Sequence, residues 1–190
     1  QREIILCAFE ELPKISSYYE EPVFVWSHIM IPHFPLIFGP NGEPITPGKS
    51  LLSMNHPEYT DSDWNVKQQF VQQLQFANKK SIGFIDEILE NEKQPIIIIQ
   101  SDHGSGFDIS LQDPTDEDIT QKLSNFNAIY FPDEKQREVL TDDRTSVNTF
   151  RLVFNSHFGS DYEMLEDKIY WGLSIKKPFW FKDVTSILLN

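Results

Sequence analysis

Four consecutive isoleucines, Ile96 to Ile99, follow Pro95 and are closed by Gln100-Ser101-Asp102-His103-Gly104-Ser105-Gly106. A short apolar run bounded by a proline on one side and by polar residues and glycine on the other predicts a strand buried on both faces, as in a parallel sheet. Open α/β sheets build their sites at the carboxyl ends of strands, which is where Asp102 and His103 fall. A carboxylate and an imidazole side by side on a glycine turn offer one oxygen and one nitrogen donor, half of a divalent-metal site. The same residues also suit a polar cap between strand and loop. Both readings stand on this stretch alone.

The chain has 190 residues, enough for one domain with a real core or for a large piece of a bigger one. Hydrophobic content of 39% and 15 phenylalanines argue for a folded unit rather than a disordered one. The net charge of −13 excludes nucleic acid and anionic membrane surfaces as expected partners, because both are recognised by clustered Lys and Arg. An anionic substrate therefore needs local groups or a bound cation. The acidic run Asp113-Pro114-Thr115-Asp116-Glu117-Asp118 lacks the spacing and turn glycine of an EF-hand and reads as a solvated loop. Cys7 is the only cysteine, so neither an internal disulfide nor a cysteine zinc site is expected. No apolar run approaches the roughly 18 residues of a membrane span, so no direct membrane insertion by this segment is expected. Gln1-Arg2-Glu3-Ile4 has the form of neither a signal peptide nor a Met start, and the expectation is a fragment or trimmed chain.

Along the chain, Ile4, Ile5, Ala8, Phe9, Leu12 and Ile15 predict a helix to about Leu12, with Pro13 at its exit. The β-branched and aromatic run Val23-Phe24-Val25-Trp26-Ser27-His28-Ile29 predicts a central strand. Its end carries His28 and, past Pro32, His33. These two can converge on one ligand, although a single His in such a place is more often structural. Residues 34–63 are rich in Pro and Gly and predict a flap-like loop, with His56 exposed within it. Residues 62–91 predict the longest helix, N-capped by Ser62 or Asp63. Its apolar stripe runs through Phe70, Leu74, Ala77, Ser81, Phe84, Ile85 and Ile88, with Gln68, Gln69, Gln72 and Gln73 largely off it. Strand, helix and strand then form a βαβ unit whose strand ends share one rim, gathering His28, His33, Asp102 and His103. A short helical turn over residues 119–123, a strand over 125–132, a charged loop over 133–145 and a helix from Ser146 to Gly159 follow. His157 is favoured as a cation at that helix's C-terminus. Aromatic strands over about 168–184 close the chain as a hairpin or as edge strands.

Four segments taken together, Phe24-Val25-Trp26-Ser27-His28-Ile29-Met30-Ile31-Pro32-His33, Ile96-Ile97-Ile98-Ile99-Gln100-Ser101-Asp102-His103-Gly104, residues 123–132 and residues 147–155, resemble the C-terminal half of a sulfatase-like domain. That domain belongs to the alkaline phosphatase superfamily, with sulfatases, phosphoglycerol transferases and lipoteichoic acid synthases. The resemblance spans nearly the whole chain and implies a single partial domain over 1–190. Its implied fold is a three-layer α/β/α sandwich with a mostly parallel sheet. It also implies a divalent metal ion (Mn, Ca, Mg or Zn) on Asp102 and His103, and contact of His28 and His33 with the oxygens of a sulfate or phosphate ester. The family's nucleophile and first acidic ligand lie in the N-terminal half, and nothing in this chain matches them. Cys7 lacks the surroundings of a sulfatase nucleophile. The expectation is thus a catalytically incomplete piece of a hydrolase or transferase. Its partner would be the missing N-terminal half or a second copy, often in an extracytoplasmic, membrane-anchored parent. The competing expectation is a non-catalytic sulfatase-like scaffold that binds or supports.

Overall fold

A computed structural model describes residues 1–45, 64–91, 93–111, 113–141, 144–172, 176 and 179–189. Most of the expected flap, with His56, and the expected caps Ser62 and Asp63 lie outside the described residues. The chain is mixed α/β and divides into two compact units, Gln1–Gln94 and Pro95–Asn190.

The first unit is helical. α1 (Arg2–Glu11) runs into a 3₁₀ segment, Leu12–Tyr18, with Pro13 in its first turn, where a missing N–H costs nothing. α2 (Trp64–Leu89) is the long helix expected from periodicity. Asn91 finishes it, its side-chain amide donating to the carbonyl of Ile88 at 3.1 Å. Ile5 and Phe9 of α1 meet Phe76 of α2 and Phe38 of the intervening loop in one core. The Phe38 and Phe76 rings stack at 4.6 Å. Arg2 sits over the Phe38 ring, 4.2 Å from its centre, and donates to the carbonyls of Ile37 and Gly42 at 2.9 Å each. Gly42 adopts φ +89° and lies against Phe76, so a side chain there meets both backbone strain and the ring.

Two expectations for this unit are corrected. Residues 23–29 form no strand; Phe24 and Trp26 are 77% and 76% exposed, in place of a central strand covered on both faces. β-propensity describes fit to a partnered pleated surface, and the described residues give this run no partner strand. The buried side of α2 also differs from the expected stripe. Val66, Gln73, Phe76 and Ala77 are buried, whereas Leu74 is exposed. Gln73 faces inward because the loop beneath it has backbone groups with no ladder to join.

The second unit holds two small antiparallel sheets. β1 (Ile97–Gln100) pairs with β2 (Asn127–Tyr130), Ile98 opposite Ile129. The pairing observed for the isoleucine strand is therefore antiparallel rather than parallel. Its side chains are half-buried, packing with Phe131 and with Leu152 and Val153 of α5 (Thr149–His157). Between the strands lies α3 (Asp116–Leu123), and the acidic run expected as a solvated loop forms its first turn. Thr115 is the N-cap, accepting from the Asp118 amide at 3.2 Å while the Asp118 carboxylate accepts from the Thr115 amide at 2.9 Å. Three carboxylates there complement the positive end of the helix. α4 (Glu134–Arg137) is a single turn inside the expected charged loop. The aromatic tail forms the hairpin expected of it, β3 (Tyr170–Gly172) with β4 (Phe181–Asp183), followed by the short α6 (Thr185–Leu188). Ile119, Trp171 and Val184 make the second core of the unit.

Candidate metal site

The turn after β1 is built by hydrogen bonds that carry the ladder one residue further. The Ser101 amide donates to the Phe126 carbonyl at 2.9 Å, the Ser101 hydroxyl accepts from the Phe126 amide at 2.7 Å, and the Asn125 side chain donates to the Ser101 carbonyl at 3.1 Å. Asp102 is thus the first residue released from the strand pair. The chain then turns onto the end of α3, where the Gly104 amide donates to the Lys122 carbonyl at 2.7 Å. A Cβ on Gly104 would collide with the carbonyl oxygens of Gln121 and Ser124, the latter at 2.8 Å, so only glycine permits this approach. Gln121 fastens the far side of the turn, donating to the Ser105 hydroxyl at 2.8 Å and the Phe107 carbonyl at 2.6 Å.

On this frame Asp102 and His103 face each other. Asp102 Oδ2 stands 3.6 Å from His103 Nε2, and the side chains are 88% and 43% exposed. Two ligands of one tetrahedral ion, each bonded at about 2.0–2.1 Å, are about 3.4 Å apart, so the spacing suits a shared cation. The other oxygen, Oδ1, accepts from the His103 amide at 3.0 Å and steadies the carboxylate. His103 Nδ1 lies 2.7 Å from the Gly104 carbonyl; when it carries the proton and donates there, the Nε2 lone pair is left for a metal. The Lys122 amine lies 3.1 Å from the same Nδ1. Burial lowers the Lys122 ammonium from its ordinary pKa, and the Asp102 carboxylate pulls it the other way. Among the described residues no group of three or more His, Cys, Asp or Glu is placed to hold a metal, so this chain offers a pair of donors on an open turn.

His28 and His33 belong to the first unit, and both are exposed. The His28 ring lies 6.0 Å from Trp26, tilted. His33 Nδ1 donates to the Phe34 carbonyl at 2.8 Å in one tautomer, which turns Nε2 outward as an acceptor. Its backbone carbonyl accepts from the Gln73 side chain at 3.0 Å, as does that of Pro32 at 3.1 Å. Gln73, which hydropathy placed off the buried face, is therefore what holds the segment carrying His33. Lys122 was equally invisible in the sequence, being an ordinary charged residue at the end of an acidic helix, nineteen positions from His103. Cys7 is exposed on α1. His157 ends α5 as expected and sets its ring edge-on to Phe131 at 4.5 Å. Its Nε2 is buried with no hydrogen-bond partner.

No protein family, curated protein or solved structure matches the chain.

Proposed function

We propose that this chain is part of a metal-dependent hydrolase or transferase acting on sulfate or phosphate esters, of the sulfatase-like type. Asp102 and His103 would be two of the ligands of a divalent cation, and His28 would donate a hydrogen bond to the ester oxygens, as would His33 when its ring carries both protons and Nδ1 stays on the Phe34 carbonyl. The observation that carries the reading is the 3.6 Å spacing of Asp102 Oδ2 and His103 Nε2, on a turn whose Gly104 carbonyl can select the tautomer that leaves Nε2 bare. A divalent cation held there supplies charge neutralisation for the ester and a lowered pKa for the nucleophile. The imidazoles supply donors to the charge that develops on the oxygens. A −13 chain repels such an ester at long range, so local groups of this kind are what binding requires.

The nucleophile and remaining ligands are assigned to no residue of this chain, and the piece alone is proposed to be catalytically incomplete. The finer fold is part of the same proposal, namely the C-terminal half of a three-layer α/β/α sandwich. Exposure of Phe24 and Trp26 supports an absent neighbour, either the N-terminal half of that domain or a second copy. A second reading, a non-catalytic scaffold of the same shape, is favoured by the lack of a third ligand among the described residues. Turnover of an aryl sulfate, an aryl phosphate and a phosphodiester by the full-length protein, with and without Mn²⁺, Ca²⁺, Mg²⁺ or Zn²⁺, separates them. Metal-dependent turnover lost in Asp102→Ala and His103→Ala supports the enzyme; no metal-dependent turnover of any of the three supports the scaffold.

A further inference from the structure

His103 Nδ1 has two neighbours that ask opposite things of it. The Gly104 carbonyl, at 2.7 Å, can only accept, so it requires a proton on Nδ1. The Lys122 ammonium, at 3.1 Å, can only donate, so it requires a bare Nδ1 and moves the ring proton to Nε2. A neutral imidazole satisfies one of them at a time. The two states differ at the far nitrogen. With Nδ1 donating to Gly104, Nε2 presents a lone pair beside Asp102 Oδ2. With Lys122 donating to Nδ1, Nε2 presents an N–H to that carboxylate, and the donor pair is broken.

We infer that Lys122 is a positioning residue that selects the His103 tautomer and so opposes loading of a cation at Asp102 and His103. The inference rests on the metal reading for its consequence, but the control of the tautomer stands without it. Lys122 is well placed for the part. Its backbone carbonyl anchors the turn through Gly104, so the side chain approaches from a fixed base. Its amine rests against Gly106, at 3.6 Å from where a Cβ on that residue would stand. Its positive charge acts in the same direction as its hydrogen bond, since a cation close to one ring nitrogen disfavours a second cation on the other.

The test compares the unmodified chain with Lys122→Met and Lys122→Arg, using long-range ¹H–¹⁵N correlation of the His103 ring without metal and then titration with Zn²⁺. Neither change touches the Lys122 carbonyl, so the bond from Gly104 persists, and the amide spectrum of each variant reports whether the turn is kept. The expected result is the Nε2–H form in the unmodified chain and in Lys122→Arg, and the Nδ1–H form in Lys122→Met, with Zn²⁺ bound about tenfold more tightly by Lys122→Met. The same tautomer in the unmodified chain and in Lys122→Met would overturn the inference. A tautomer change with no Zn²⁺ bound by any form would uphold the role of Lys122 and overturn the metal reading instead.

Discussion

Gln73 and Ile37 are joined by a 2.8 Å hydrogen bond from the Ile37 amide to the Gln73 side-chain oxygen, which also accepts from Phe38 at 3.1 Å. The nitrogen of the same side chain donates to the carbonyls of Pro32 and His33. One amide thus serves the backbone groups of residues 32–38 that the short Phe38–Pro44 bridge leaves over. Gln73 is 1% exposed, so its removal strands these groups away from water. Gln73→Ala is expected to cost on the order of 1–3 kcal/mol for each buried group left unpaired. Gln73→Glu should be destabilising too, because a carboxylate meets two carbonyl oxygens in place of the donating nitrogen. Urea denaturation gives the cost, and amide exchange at Ile37 and Phe38 should quicken before exchange in α1 does.

The contrast between Gln73 and its neighbours explains how far the sequence could be read. α1 and α2 follow from helical periodicity, β2 from an apolar run stopped by Pro132, and the tail hairpin from two aromatic clusters. Each is a local pattern that tertiary contacts left in place. Gln73 was missed because hydropathy ranks side chains, whereas the need it meets belongs to the backbone of a loop roughly forty residues away. Residues 23–29 mislead for the converse reason: their side chains suit a strand, but pairing depends on a neighbour that local sequence does not describe. The acidic run was legible after all, as Thr115-x-x-Asp118 is a capping pattern. Its charge density drew attention from its spacing. At the site, Asp102 and His103 could be found as a motif, while Lys122 came into view only through the packing of α3 against the turn.

Gly104 and Gly83 should respond oppositely to alanine. At Gly104 the added methyl meets backbone carbonyls that no rotamer change can move. Gly104→Ala is expected to destabilise the second unit by roughly 1–3 kcal/mol, as overpacking does, and to release the Asp102 turn from α3. Loss of protection at the Gly104 amide in hydrogen exchange checks this.

Gly83 lies inside α2, in its C-terminal third, and a Cβ there meets nothing within 4 Å. The helix gains backbone rigidity at no steric cost. Gly83→Ala is expected to stabilise by about 0.8–1.0 kcal/mol, the helix-propensity difference, read as a rise in the thermal midpoint of α2's circular dichroism signal.

Asp118 carries an acid dependence whose sign follows from its cap. The Thr115 backbone amide, first of all, and the Thr115 side chain hold its carboxyl below the ordinary 3.8. The folded state therefore binds its proton less readily than the unfolded state, and the stabilisation is present above the unfolded value. It fades as pH falls through the lowered folded value. Asp118→Asn should flatten the loss of α3 helicity in that acid range, and Thr115→Ala should cost about 1 kcal/mol at neutral pH. A full acid transition in Asp118→Asn would place the effect in other carboxylates, among them Asp183, which Thr185 holds low in the same way.

The proposed division of labour at the site gives the last prediction. On the proposed reading the cation falls to Asp102 and His103 and the anion to His28 and His33, so metal and anion binding should separate by mutation. Two donors on an exposed turn make a weak site, and Mn²⁺ should bind rapidly and reversibly, broadening the resonances of Ser101, Asp102, His103 and Gly104 before others in the second unit. Asp102→Asn keeps the size of the side chain while removing the only formal negative charge of the pair, and should abolish that broadening; His103→Gln should do the same by removing the nitrogen. His28→Gln and His33→Gln should leave Mn²⁺ binding unchanged, and should weaken the shift changes that sulfate or phosphate induces in the Trp26 indole, whose ring lies 6.0 Å from His28. Loss of Mn²⁺ binding in His28→Gln or His33→Gln would move those residues from the anion to the metal, and broadening that survives Asp102→Asn would remove Asp102 from the site.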